Sequence, residues 1–320
     1  MTTTLTTTQP APPALRSAAA RKYARASKSP RTLQLYAAAW REFEQYAATV
    51  GEPACPASPA LVGDYLSVLA DHGARVSTIE LKRSAIVHVH QARGLVDPTA
   101  NAAVKAVMGG IRRQLGSAPQ QKAPVTAKDL RRIVRELPRD LVGLRDRALI
   151  LLGFAGAFRR SELVALDVAD LNLDGAVLRV TVRHSKTDQE ARGFIKVIPR
   201  IDNPVLDPAT ALRAYLDAAQ INSGPVFRRA NSHGLTRARL TAQSVALVVK
   251  QAAGMAGLDP RRFSGHSLRA GFVTSAYRAG ARDADIMELT GHQSRKTLDK
   301  YIRAEGRGAQ SAVSAAFSQT

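Results

Sequence analysis

The sequence predicts a mainly α-helical chain of two domains, the second of them α+β through one small antiparallel sheet. Three observations carry that expectation. At 320 residues the chain is long enough to bury two hydrophobic cores. Helical periodicity fills most of residues 28–115 and returns after residue 125, whereas only residues 176–182 and 193–199 alternate with period two. Between the two helical regions, residues 116–124 (GSAPQQKAP) have the composition of an exposed linker.

Residues 1–27 are rich in Thr, Ala and Pro and then basic, which predicts a disordered N-terminal arm. Ser29-Pro30 suits an N-cap and first turn, and Leu33, Tyr36, Trp40, Phe43, Ala47 and Val50 then recur at helical spacing. Ser58-Pro59 repeats the start signal, with Gly73 as the stop. A third helix is expected from Ser77 to Arg93, and a fourth from Asp97-Pro98 to about Gln114. Residues 28–115 therefore predict an all-helical domain of at least four helices.

Thr126, with Asp129 three residues later, predicts a capped helix opening the second domain, residues 125–305. The helix Arg145–Ala155 is apolar on most sides and belongs at the centre of that core. Gly156 ends it, and Arg159 falls where the next helix begins. The two period-two stretches are joined by HSKTDQEAR, and helices are expected again at 208–220, 241–256, 266–279, 283–290 and 296–304. Residues 306–320 form a small, weakly apolar tail that either is unstructured or docks as a helix on a neighbouring protomer.

Composition narrows the class of partner. The net charge is +20 and the pI about 10.8. Residues 1–120 hold 14 Lys and Arg against 7 Asp and Glu, and the remainder 32 against 19. Both parts are basic, as expected of two domains on one polyanion. No apolar run approaches the roughly 20 residues of a membrane span, the N-terminus lacks a secretory pattern, and a single cysteine excludes an internal disulfide. A soluble, cytoplasmic, DNA-associated protein without membrane contact is the expectation. In the first domain Arg75, Lys82, Arg83, Arg93, Lys105, Arg112 and Arg113 are candidate phosphate contacts. His88 and His90, two apart, do not share a helix face, so they predict ordinary core or surface histidines rather than metal ligands.

The chemistry is concentrated in Arg261–Arg303. His266 and Arg269 form an H-x-x-R, His292 follows in L-T-G-H, and Tyr301 in T-L-D-K-Y. About a hundred residues upstream stands Phe158-Arg159-Arg160-Ser161-Glu162-Leu163, and between them lies Lys186. Singly, each of these residues is ordinary; their order and spacing together resemble the tyrosine recombinase (phage integrase) family. Moving a phosphodiester without a metal requires fixed cations for the non-bridging oxygens, and the guanidinium fork fits two at once. Arg159 and Arg269 suit that clamp. Tyr301 suits the nucleophile, His266 a phosphate contact or acceptor of the tyrosine proton, His292 a donor to a non-bridging oxygen, and Lys186 the acid for the departing oxygen. Glu162 is placed to hold a neighbouring side chain.

The resemblance covers the chain from about residue 28. It implies a helical, SAM-like core-binding domain and a mostly helical catalytic domain with a small sheet, clamped on opposite faces of DNA. It further implies a 3′-phosphotyrosine link at Tyr301, strand exchange through a Holliday junction by four protomers on two duplexes, a free protein that is monomeric or weakly associated, and no metal or other cofactor. The stretch SPALVGDYLSVLADHGARVSTIELKRSAIVHVHQARGL and the HSKTD segment are similar to Cre-like members, which differ in having tryptophan where this chain has His292. No added N-terminal domain for separate arm sites is expected. Two other readings share part of the evidence: a type IB topoisomerase or telomere resolvase with the same nucleophile, distinguished by relaxing supercoiled DNA that carries no specific site, and a DNA-binding protein without catalysis.

Overall fold

The computed structural model describes residues 17–20, 23, 27–116, 122–183, 193–292 and 294–302. The chain divides into two compact units, Met1–Gln120 and Gln121–Thr320.

In the first unit, α1 (Pro30–Val50), α2 (Pro59–Asp71), α3 (Val76–Ala92) and α4 (Ala102–Leu115) surround a core that includes Phe43, Leu61, Leu66, Ile79, Ile86 and Met108. The Ser29 and Ser58 hydroxyls accept from Thr32 N and Leu61 N, the N-caps expected from the two Ser-Pro pairs. The start of α4 differs from expectation. Asp97-Pro98 opens only a short 3₁₀ turn, and Asn101 caps α4 itself by accepting from Ala103 N. His90 is buried: its Nε2 accepts from Ala57 N at 3.0 Å and its Nδ1 donates to the Ile86 carbonyl at 2.9 Å. Both ring nitrogens are thereby used, and among the described residues no cluster suited to a metal ion occurs.

The second unit begins earlier than the linker expectation allowed. Lys122 Nζ donates to the Arg261 carbonyl, Ala123 N to Arg262 O, and Val125 N to Ser267 O, so residues 122–125 are already bonded into this unit. Residues 117–121 lie outside the described residues. Helix α5 (Ala127–Glu136) opens with a complete capping box between Thr126 and Asp129. Helix α6 (Leu141–Ala155), capped by Asp140 and thus one turn longer at its start than expected, buries Ala148, Leu149, Ile150, Leu151 and Leu152. Each of the leucine and isoleucine side chains contributes roughly 1.5–3 kcal/mol on burial. The short helix α7 (Arg160–Ala165) follows.

The sheet runs β1 (Leu171–Asn172), β2 (Val177–Val182), β3 (Phe194–Pro199), antiparallel throughout, with Leu178 opposite Ile198 and Val182 opposite Phe194. Its connection HSKTDQEAR, including Lys186, lies outside the described residues. After α8 (Pro208–Ala218) comes a second hairpin, β4 (Arg228–Asn231) with β5 (Gly234–Arg239), where a single sheet was expected. These strands are short, rich in arginine and without a buried residue, so they lack the apolar alternation by which a strand shows in sequence. Helices α9 (Ala242–Met255), α10 (His266–Arg278), α11 (Asp283–Thr290) and α12 (Arg295–Ile302) complete the unit. No described helix is long and apolar enough to cross a membrane.

Candidate active site

Four chain segments bring the predicted residues together. The first is the turn after α6. Gly156 has no room for a side chain, since a Cβ there would lie 2.2 Å from Phe158 Cε2. Ala157 then adopts φ +47°, a left-handed conformation that costs a non-glycine residue energy. Its carbonyl accepts from Arg269 Nη1 at 2.7 Å. Two residues on, Arg159 caps α7 and is held by Glu162: the Arg159 backbone N donates to Glu162 Oε2 at 2.9 Å and Nη1 to Oε1 at 2.6 Å. Glu162 is buried, so this carboxylate fixes the guanidinium at a partly exposed position.

The second segment is α10. Gly271 faces Val125 so closely that an added Cβ would lie 1.8 Å from its carbonyl oxygen, which presses the helix onto the 122–125 segment. His266 stands at the helix start and Arg269 one turn later. Arg269 is 1% exposed. Its N–H groups donate to Ala157 O, Thr290 O at 2.7 Å and His292 Nε2 at 2.8 Å, and the guanidinium also bonds the Tyr301 side chain.

The third segment is the end of α11. Gly291, at φ +67°, gives the left-handed C-cap that turns the chain so that His292 follows at once. Thr290 Oγ1 donates to Ile286 O at 2.7 Å and therefore accepts from His292 Nδ1 at 3.0 Å. Arginine can only donate, so the bonds assign His292 as the neutral ring protonated on Nδ1, with Nε2 an acceptor. Burial, then Arg269, Arg159, His266 and Lys196, hold its pKa down to about 4. The sequence suggests a donor to a phosphate oxygen; in this arrangement Nε2 accepts from Arg269.

The fourth segment, α12, supplies Tyr301. Its hydroxyl is 2.8 Å from His266 Nε2, and its ring lies 5.7 Å from that of His292, nearly parallel. Crowding by surrounding side chains, then Arg269, Arg160 and Arg159, keeps the His266 pKa below its ordinary value. A neutral His266 can accept the Tyr301 proton.

Arg159, Glu162, His266, Arg269, His292 and Tyr301 thus form one connected cluster; Lys186 lies outside the described residues. The motif spacing misses one member. Lys196 occupies an inward position of β3, 2% exposed, with its ammonium 5.0 Å from the Phe158 ring centre and 5.2 Å from that of Phe194, and it donates to the Leu289 carbonyl. Burial lowers its pKa to about 7, opposed by Glu162 and assisted by Arg269 and Arg159. The available signal was a lysine in phase with the buried positions of an otherwise apolar strand.

In the first unit, the candidate phosphate contacts separate into two groups. Lys82 pairs with Glu42, Arg83 and Arg112 both pair with Glu80, and Arg93 lies over the Trp40 ring at 5.8 Å. Arg75, Lys105 and Arg113 are exposed.

The phage integrase family model matches residues 124–307, more than half of the chain. The chain belongs to the phage integrase family. Among members of this tyrosine recombinase family, the integrase/recombinase XerD homolog of Selenomonas ruminantium is 39% identical over 281 residues, covering 86% of this chain and 82% of that protein. Tyrosine recombinase XerD of Xanthomonas axonopodis pv. citri is 34% identical over 164 residues, an alignment spanning 50% of each chain. Of solved structures, XerH site-specific recombinase bound to palindromic difH substrate, in a post-cleavage complex, aligns with TM-score 0.63 at 17% identity over 81% of this chain and 72% of that one. A lambda integrase dimer bound to a COC′ core site aligns with TM-score 0.59 at 18% identity over 88% and 74%. At these identities the structural likeness speaks for the fold: a mostly helical phage integrase architecture with a small antiparallel sheet.

Proposed function

We propose that this phage integrase family member is a site-specific DNA recombinase that cuts and rejoins strands through a covalent bond between Tyr301 and a 3′ phosphate. The observation that carries this reading is the 2.8 Å contact between the Tyr301 hydroxyl and His266 Nε2, beside the buried guanidinium of Arg269. In the step proposed, Tyr301 Oη bonds to phosphorus while the bond to the 5′ oxygen of the departing strand breaks. The phenol proton passes to His266 Nε2, and the 5′ oxygen takes a proton from an acid, for which Lys186 is the candidate. Arg159 and Arg269 neutralise the non-bridging oxygens as charge builds on them. One phosphoester replaces another, so the step is nearly isoenergetic and reverses on attack by a new 5′ hydroxyl.

Two rounds of such exchange, by four protomers on two duplexes, give a Holliday junction and then recombinants. The test is covalent capture: nicked duplexes of randomised sequence, which lose the 5′ fragment after cleavage, are incubated with the protein without added metal. A protein–DNA adduct on a denaturing gel is expected for the wild type and none for Tyr301→Phe, with equal DNA retention by both. Adduct formation by Tyr301→Phe would assign the nucleophile elsewhere.

A further inference from the structure

We propose that Lys196 is a positioning residue for His292: by holding the Leu289 carbonyl it fixes the last turn of α11, and through it the imidazole that steadies Arg269. This rests on the recombinase reading of the same site.

The argument starts from β3. Phe194–Pro199 alternates exposed and buried positions, and Lys196 faces inward directly across from Val180 in the register. An ammonium at such a position is costly unless it is paired or performs a task. Its surroundings are specific. The Phe158 and Phe194 ring centres lie 5.0 and 5.2 Å from the ammonium, and Phe158 immediately precedes Arg159. Its hydrogen bond goes to a carbonyl in the final turn of α11, where a helix leaves acceptors unsatisfied and favours positive charge. The next carbonyl, that of Thr290, is taken by Arg269, and the Thr290 hydroxyl sets the His292 tautomer. Two buried cations from different parts of the chain thus grip successive carbonyls of one helix end, and His292 stands immediately beyond.

The charged and titratable groups that act on Lys196 are Glu162, Arg269 and Arg159, and Lys196 in turn acts on His292. Lys196 loses its proton at about 7, well above His292 at about 4, while His266 titrates below its ordinary value. A change in Lys196 charge is therefore separable from titration of His292. A lysine that only fills space gives a different outcome, because replacing a buried charge by an apolar side chain of similar length is often neutral or stabilising.

The test follows the His292 ring nitrogens by NMR in the DNA-free protein, together with single-turnover cleavage of the captured duplex. In the wild type, the His292 signals should shift in a step near pH 7. Lys196→Met should abolish that step, mix the ring tautomers and slow cleavage at least tenfold, with DNA affinity within twofold. Lys196→Gln, which keeps a donor without the charge, should also lose the step but recover most of the cleavage rate. His292 signals in Lys196→Met that superimpose on the wild type, or cleavage within twofold, would overturn the proposal. Should Lys196→Met not fold, Lys196→Gln decides: a step near pH 7 that persists in its His292 signals overturns the proposal, and loss of the step upholds it. If the step behaves as expected while the wild type forms no adduct, the recombinase reading fails and the positioning role stands.

Discussion

Arg269 has two duties, and they set what its replacement does. Its buried fork ties Ala157, Thr290 and His292 together, and the same guanidinium is the proposed phosphate ligand. Arg269→Lys keeps the charge but loses the planar set of donors. Cleavage should fall by about 10²–10³, the range for loss of one preorganised donor, and the melting temperature should fall as well. An unchanged melting temperature would show that the carbonyl ties carry no weight. His266 sets the acid limb. Its pKa is held below the ordinary histidine value, so the acid limb of the cleavage rate should lie below that of a free imidazole. A decline beginning above pH 7 would remove His266 as the acceptor. His292 affects stability with a definite sign. The unfolded chain binds a proton at about 6.5 and the folded site only at about 4, so stability is lost as pH falls through that window. Thermal melts from pH 7 to 4 should show a smaller decline for His292→Gln than for the wild type.

Among the elements, close backbone approach matters more than apolar area. The helix bearing His266 and Arg269 passes so near Val125 that only Gly271 fits, since a Cβ on that residue would come within 1.8 Å of the carbonyl oxygen. Gly271→Ala should destabilise the second unit by about 1–3 kcal/mol through backbone displacement, measurable by urea unfolding, whereas Gly109→Ala in a helix of the first unit, where nothing lies within 4 Å, should be neutral or stabilising. The elements most legible in sequence were those with strong local signals. The Ser-Pro caps, the Thr126–Asp129 box and the apolar run of α6 all predicted helices that the structure contains. The β4–β5 hairpin was not legible, because Arg228, Arg229, Arg237 and Arg239 give it no apolar face. Nor was the role of residues 122–125, whose bonds are to backbone more than 130 residues away.

Over the whole molecule the charge of +20 governs DNA affinity, and its distribution is uneven in kind. Lys82, Arg83 and Arg112 are balanced by Glu42 and Glu80, whereas Lys105 and Arg113 are exposed. Replacing Lys105 or Arg113 by Gln should reduce the slope of log affinity against log salt by about 1 each. Lys82→Gln should leave it unchanged. Equal effects from all three would mean that the internal pairs open on DNA. The motif spacing made legible which residues the fold brings together, Arg159, Glu162, His266, Arg269, His292 and Tyr301. The orientation of His292 and the involvement of Lys196 were not, because both depend on carbonyls of α11 whose direction no side chain reveals.

The carbonyl of Ala157, turned inward by a left-handed residue just ahead of Arg159, has an implication for safety. A protein that cuts DNA is dangerous when half-made, and here the same guanidinium closes the architecture and, on the proposed chemistry, arms the nucleophile's target. On that chemistry, a molecule in which the closure has slipped has also disarmed itself, so damage to the protein is not readily passed on as damage to the genome.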